Sequence, residues 1–142
     1  MSRIAAFFLG VSLVLLPLGY WSLDRDPPFE LRKSEIITEK VAPGGYVNFR
    51  VFARRFRSCP VTVETQVYDG EGKRWVLPDQ RYEGLATLGD VPPYVNSIFI
   101  SPEAAPGRGR IEIILAYQCN LAHRWNPIVV KGSVVEFDIV KP

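Results

Sequence analysis

From Phe29 onward, apolar and polar residues exchange places at every second position over short runs, the period of a half-buried strand. The clearest run is Arg110–Asn120. Ile111, Ile113, Leu115, Tyr117 and Cys119 share one face, which can only be a core face, while Glu112, Ala116, Gln118 and Asn120 share the other. Only Ile114 breaks the alternation. Over Tyr46–Phe56, Val47, Phe49, Val51 and Ala53 lie opposite Asn48, Arg50 and Arg54. Over Val61–Tyr68, Val61, Val63 and Val67 are expected inward and Thr62, Glu64 and Gln66 outward. Strands are also expected at Phe29–Lys40, at Lys73–Leu77 with Trp75, at Val95–Ser101, and at Ser133–Val140 with Val135, Phe137 and Ile139 inward.

Turns separate these runs. Val41–Gly45, Arg57–Pro60, Asp69–Gly72 and Pro102–Gly109 carry the proline, glycine and aspartate that preset or permit turn dihedrals. Leu121–Pro127 reads as a loop, and Pro78–Pro93 as an irregular stretch with a short edge strand. Twelve prolines and eleven glycines fall between the apolar runs. The pattern contains no soluble helix and no repeat. About seven short antiparallel strands imply an all-β sandwich.

The first residues break this pattern. Ile4–Leu23 holds twenty residues without a charge. A helix of that length spans roughly 30 Å, the thickness of a bilayer's hydrocarbon core. Tyr20 and Trp21 close it, where aromatic rings favour the interface, and Arg3 precedes it. Arg3 votes for an N-terminus in the cytoplasm and a domain on the outer side. A cleaved signal peptide is the competing reading, since Pro17 could end the apolar region. Its cleavage residues are poor: Tyr20 or Pro17 would stand where a small residue is expected. The expected layout is therefore an uncleaved anchor over 1–23, a stiff Asp26-Pro27-Pro28 spacer within 24–28, and an exported domain over 29–142.

The chain carries 17 Lys and Arg against 15 Asp and Glu, too even a balance for a dedicated nucleic-acid binder. Cys59 and Cys119 are its only cysteines, and in an exported domain they should meet as a disulfide. In an immunoglobulin-like strand order, the connections holding them fall at one end of the sandwich. The bridge would close a loop of about sixty residues, worth roughly 4 kcal/mol in the chain-entropy account. Two buried free thiols are the alternative. Cys59, Cys119 and His123 lack a recognisable metal-ligand spacing.

Pro43-Gly44-Gly45-x-Val47-x-Phe49-x-Val51 and Tyr117-x-Cys119 resemble immunoglobulin-like sandwiches over about Phe29–Val140. Cys59 departs from that pattern by lying past its strand, and Tyr117 sits too near its strand end to carry over a corner-type hydrogen bond. The layout also resembles small single-pass proteins of unknown role encoded by tailed bacteriophages and prophages. The matching segments are Tyr20-Trp21, Asp24–Glu30, Arg55–Cys59, Tyr117–Asn120 and Trp125–Ile128. That resemblance implies an envelope accessory and brings no activity with it.

Arg54, Arg55 and Arg57 flank Cys59, and His123, Arg124 and Trp125 follow Cys119. A disulfide would gather both groups at one end, where arginines could grip a carboxylate, a phosphate or an acidic partner. The plainer reading is solvated arginines, an idle surface histidine and Trp125 capping the core. Trp75, Tyr82 and Tyr94 form either an aromatic contact platform or ordinary packing. Asp69, Glu71 and Asp79 lie near turns, where acidic residues are common. No nucleophile triad, phosphate loop or His–carboxylate cluster is visible, so neither catalysis nor a cofactor is expected. The role expected is interaction at a membrane with another envelope or phage protein. Small-ligand or glycan binding at the Arg/Trp end is second, and an enzyme last.

Overall fold

The computed structural model describes residues 3–84 and 87–141. Met1 and Ser2 ahead of the helix, Leu85 and Ala86 of the irregular stretch, and the terminal Pro142 lie outside the described residues. Helix α1 spans Arg3–Leu23, and none of its residues is buried. It is long and apolar enough to cross a membrane. Pro17 lies inside the helix and is tolerated there.

Nine strands follow among the described residues: β1 Phe29–Ile36, β2 Lys40–Val41, β3 Tyr46–Arg55, β4 Val61–Tyr68, β5 Arg74–Val76, β6 Gln80–Tyr82, β7 Gly89–Phe99, β8 Gly107–Tyr117 and β9 Ile128–Ile139. The count exceeds the seven expected from the pattern. The Phe29–Lys40 run ends early, and Lys40–Val41 forms a separate pair parallel to β9. The irregular stretch yields β6 and the first half of β7. β7 accommodates Pro92 and Pro93 because it is an edge strand, and the two prolines fall where its register with β3 shifts between Val51 and Ala53. The last strand begins at Ile128 rather than Ser133. The loop before it contains a turn of 3-10 helix, Leu121–Arg124, capped by Asn120 Oδ1 accepting the His123 N–H at 3.1 Å.

The strands form two sheets. One has the order β1-β3-β7, the other β2-β9-β8-β4-β5, with β6 also paired to β4. All pairings except β2 with β9 are antiparallel. The inward faces follow the alternation. Val47, Phe49, Val51 and Ala53 of β3 meet a core built by Ile111, Ile113 and Tyr117 of β8 and by Val135, Phe137 and Ile139 of β9. Gln66 departs from it, being buried although it lies opposite Val67. Tyr68 Oη donates to Gln66 Oε1 at 2.8 Å, and Arg110 stacks over the Tyr68 ring, so the amide is both covered and satisfied. Along β1 and β9 the sheets come together, and Ser34 Oγ donates to Ser133 Oγ at 2.6 Å. On the other side, between β7 and the β4–β6 edge, they part.

Candidate functional site

Two features dominate one end of the domain. The first is the junction with the helix. Cys59 and Cys119 stand at disulfide distance, S–S 2.10 Å and Cα–Cα 4.8 Å. Beside them His123 is buried, not the surface residue of the plainer sequence reading. Its Nδ1 accepts the Cys119 N–H at 3.1 Å, so that nitrogen carries no proton. Nε2 therefore holds the hydrogen and donates it to the Asp24 carbonyl at 3.0 Å. Asn120 Nδ2 donates to the Trp21 carbonyl at 2.9 Å, and Arg25 to the Pro127 carbonyl at 2.9 Å. Arg57 pairs with Asp24 at 2.6 Å and also donates to the Asp26 carbonyl. The Asp26 N–H and the Arg57 guanidinium hold the Asp24 carboxyl below the usual carboxylate range.

The second feature is a half-open cleft between the sheets, of about 420 Å³. Its walls are aliphatic: Leu31, Val51, Val63, Ile98, Ile113 and Leu115. Its polar groups include Arg55, Arg57, Tyr82, Tyr94 and Tyr117. Tyr117 is 6% exposed and its ring stacks on Phe29. Among the described residues no hydrogen bond engages its hydroxyl, yet every fully buried side-chain polar atom there has a partner. The Tyr117 oxygen therefore opens into the cleft. Burial pushes this phenol's pKa up; Arg55 opposes the shift and Tyr94 adds to it. Tyr94 is shifted the same way, first by burial, with Arg55 opposing and Tyr82 adding. Arg55, Tyr94 and Tyr117 all line the cleft. One Arg55 N–H bond is used, from Nη1 to the Thr87 carbonyl at 2.9 Å.

The six side chains expected to gather at the disulfide end are thus distributed. Arg57 and His123 hold residue 24 of the junction. Arg55 lines the cleft, and Arg54, one position back and on the opposite strand face, lies over Phe56 at 5.6 Å. Arg124 is exposed, and Trp125 stands in solvent, 84% exposed, rather than capping the core. Tyr82 and Tyr94 both line the cleft, whereas Trp75 packs on the core under Lys73. Asp69 has both carboxylate oxygens engaged by backbone: Oδ1 accepts from Glu71 and Lys73, and Oδ2 from Ala105. Among the described residues no three His, Cys, Asp or Glu groups could hold a metal ion. The sequence reading missed the Arg55–Tyr94–Tyr117 grouping. The one available signal was a tyrosine on the apolar face of the clearest strand.

Fold and site together define a two-sheet β-domain joined to an apolar helix, with a cleft beside the joint. No protein-family model matches the chain, and no curated protein matches it. Among solved structures, the chain is similar to the Pseudomonas fluorescens alkylpurine DNA glycosylase AlkC bound to DNA containing an abasic-site analogue, at 10% identity and TM-score 0.47, over 79% of this chain and 30% of that one. It is similar to the Erythrobacter marinus β-glucosidase EmGH1 at 12% identity and TM-score 0.43, over 79% of this chain and 15% of that one. It is similar to the Bacillus subtilis sporulation control protein Spo0M at 8% identity and TM-score 0.37, over 82% of this chain and 50% of that one. The chain spans half or less of the length of each.

Proposed function

We propose that this chain is a binding module held at a membrane by one helix, with its β-domain displayed on the exported side. One observation carries the reading: α1 is long and apolar enough to cross a membrane, and none of its residues is buried. An exposed apolar surface of that extent requires another phase or another protein. The cysteine pair adds support for export, because disulfides persist in oxidising compartments. Arg3 favours an N-terminus on the cytoplasmic side, and a bacterial inner membrane with a periplasmic domain fits both features. The sandwich is immunoglobulin-like in this reading, and the resemblance to phage-encoded single-pass proteins points to an envelope accessory. The module recognises a partner rather than transforming a substrate.

A second form of the reading, ligand binding, is favoured by the cleft rather than by the Arg/Trp end, whose residues do not converge. The test of the anchor is intact mass and thiol labelling of protein recovered from alkali-washed membranes. Full-length mass with both thiols blocked until reduction supports an exported, uncleaved anchor. Two freely labelled thiols overturn export. A mass lacking the first twenty-odd residues overturns the anchor.

A further inference from the structure

Three properties of the cleft bear on its occupant. Its volume, about 420 Å³, falls in the range of pockets that enclose a small organic ligand. Its deep walls are aliphatic side chains from both sheets, and its mouth is bordered by the edge strands β6 and β7. A peptide lying deep between the sheets, away from the β7 edge, would bury N–H and C=O groups with no ladder to pair them, which is costly. A hydrocarbon chain has no hydrogen bonds to lose. The polar groups, meanwhile, include the guanidiniums of Arg55 and Arg57, the phenols of Tyr82, Tyr94 and Tyr117, and the exposed Glu83 carboxylate, which pairs with Arg81 at 3.5 Å. Arg55 has N–H donors beyond the one it gives to Thr87, and the hydroxyls of Tyr94 and Tyr117 are engaged by no hydrogen bond among the described residues. Tyr117 is more than nine-tenths buried, and its hydroxyl opens into the cleft without a hydrogen bond of its own. A guanidinium beside phenol donors suits an anionic oxygen pair, as in a carboxylate or a phosphate. Location supplies the source. Arg57 and Cys59 line the cleft and also belong to the junction where α1 ends, so the polar end of the cleft lies beside the apolar helix.

We propose that the intersheet cleft takes up one acyl chain of a membrane lipid, with Arg55, Tyr94 and Tyr117 holding its anionic headgroup. The site rests on the reading of the chain as a membrane-held module only for where its ligand comes from. A carboxylate headgroup (a free fatty acid) and a phosphate headgroup (a phospholipid or its single-chain product) share the recognition chemistry.

Full-length protein in phosphatidylcholine vesicles tests this, using two photoreactive probes: a diazirine-bearing fatty acid and a phosphatidylglycerol with the same chain. Crosslinks are mapped by mass spectrometry. Labelling of β4 and β8 at the cleft-facing Val63, Ile113 or Leu115, together with labelling of α1, is the expected result. The probe that labels the cleft identifies the headgroup. Val63→Trp fills the cleft and should abolish cleft labelling while α1 labelling persists. Arg55→Gln should lower cleft labelling about tenfold, as expected for losing one charge-assisted contact. Both variants are checked for a cysteine pair still closed to thiol reagents and for an unchanged Tm. Labelling of α1 alone overturns the cleft proposal and leaves the anchor standing. Labelling of the cleft without α1 overturns the anchor. Labelling of neither overturns both.

Discussion

His123 and Asp24 are ninety-nine positions apart in the chain, yet the imidazole Nε2–H donates to the Asp24 backbone carbonyl at 3.0 Å. The same ring takes the Cys119 N–H on Nδ1. One buried side chain thus ties the end of the helix to the disulfide, with both nitrogens spent on backbone groups. His123→Ala removes a buried ring and leaves the part-buried Cys119 N–H and Asp24 carbonyl without their partner. A typical intramolecular hydrogen bond contributes about 0.5–1.5 kcal/mol, so losing two gives an expected fall in stability of roughly 1–3 kcal/mol. Urea unfolding of the purified full chain measures it. A loss within about 0.5 kcal/mol, the range of ordinary surface substitutions, would show that the ring does not carry the joint.

The Arg57–Asp24 pair at the same joint is a weaker tie. Each side chain retains a third of its exposure. Solvent-screened pairs of this kind contribute little to stability. Arg57→Ala is therefore expected to destabilise less than His123→Ala, and its effect should shrink as salt is added. Paired unfolding curves at low and high ionic strength decide this; an Arg57 effect larger than the histidine effect would reverse the ranking.

Asp69 gives the fold a pH dependence whose sign follows from its contacts. Burial raises its pKa, but backbone N–H bonds from Ala105, Lys73 and Glu71 outweigh that and hold it below the ordinary value. The carboxyl therefore binds a proton less readily folded than unfolded. Its contribution is fully present above the unfolded value of about 3.9 and is lost as pH falls through the lower folded value. Asp69→Asn should flatten the fall in urea midpoint over that acidic window while lowering stability at neutral pH. An unchanged acid limb would assign the pH response to other carboxylates.

Much of this architecture was legible from period alone, because a residue on a strand faces inward or outward by parity. Val47, Phe49, Val51 and Ala53 needed no tertiary information to be placed in the core. Parity fails where coverage comes from neighbours: Gln66 is buried by Tyr68 and Arg110, on the face that sequence assigns to water. Strand boundaries were lost for a related reason. Pro92 and Pro93 look like loop residues, and only an edge position at a register shift lets β7 run through them. The burial of His123 had no local signal, since its partners are backbone groups that any residue type supplies. The cleft is the hardest feature to read from sequence. It arises from how far two sheets stand apart, and a tyrosine facing a void has the same pattern as one facing a core.

The hairpin that Asp69 organises makes a second prediction through its neighbour. Gly70 packs directly on the start of β8: a Cβ there would lie 2.2 Å from the Pro106 carbonyl oxygen and 2.7 Å from the Gly107 Cα. Those are backbone atoms, so neither can swing aside as a side-chain tip would. The Gly70 N–H also donates to the Ala105 carbonyl at 3.2 Å, and Asp69 Oδ2 accepts the Ala105 N–H at 2.9 Å. Any shift of the loop to admit a methyl group would strain both bonds at once. Gly70→Ala should therefore destabilise the domain by about 1–3 kcal/mol, the range of overpacking at a rigid contact. Gly72 is the control. It has open space where a Cβ would go but a φ of 81°, so Gly72→Ala tests backbone conformation without a steric clash. Gly72→Asn should restore part of that loss, because asparagine tolerates the left-handed region, whereas Gly70→Asn should recover nothing. Rescue at both positions, measured as Tm against wild type, would mean that the close approach of the hairpin to Pro106 is not what requires glycine at position 70.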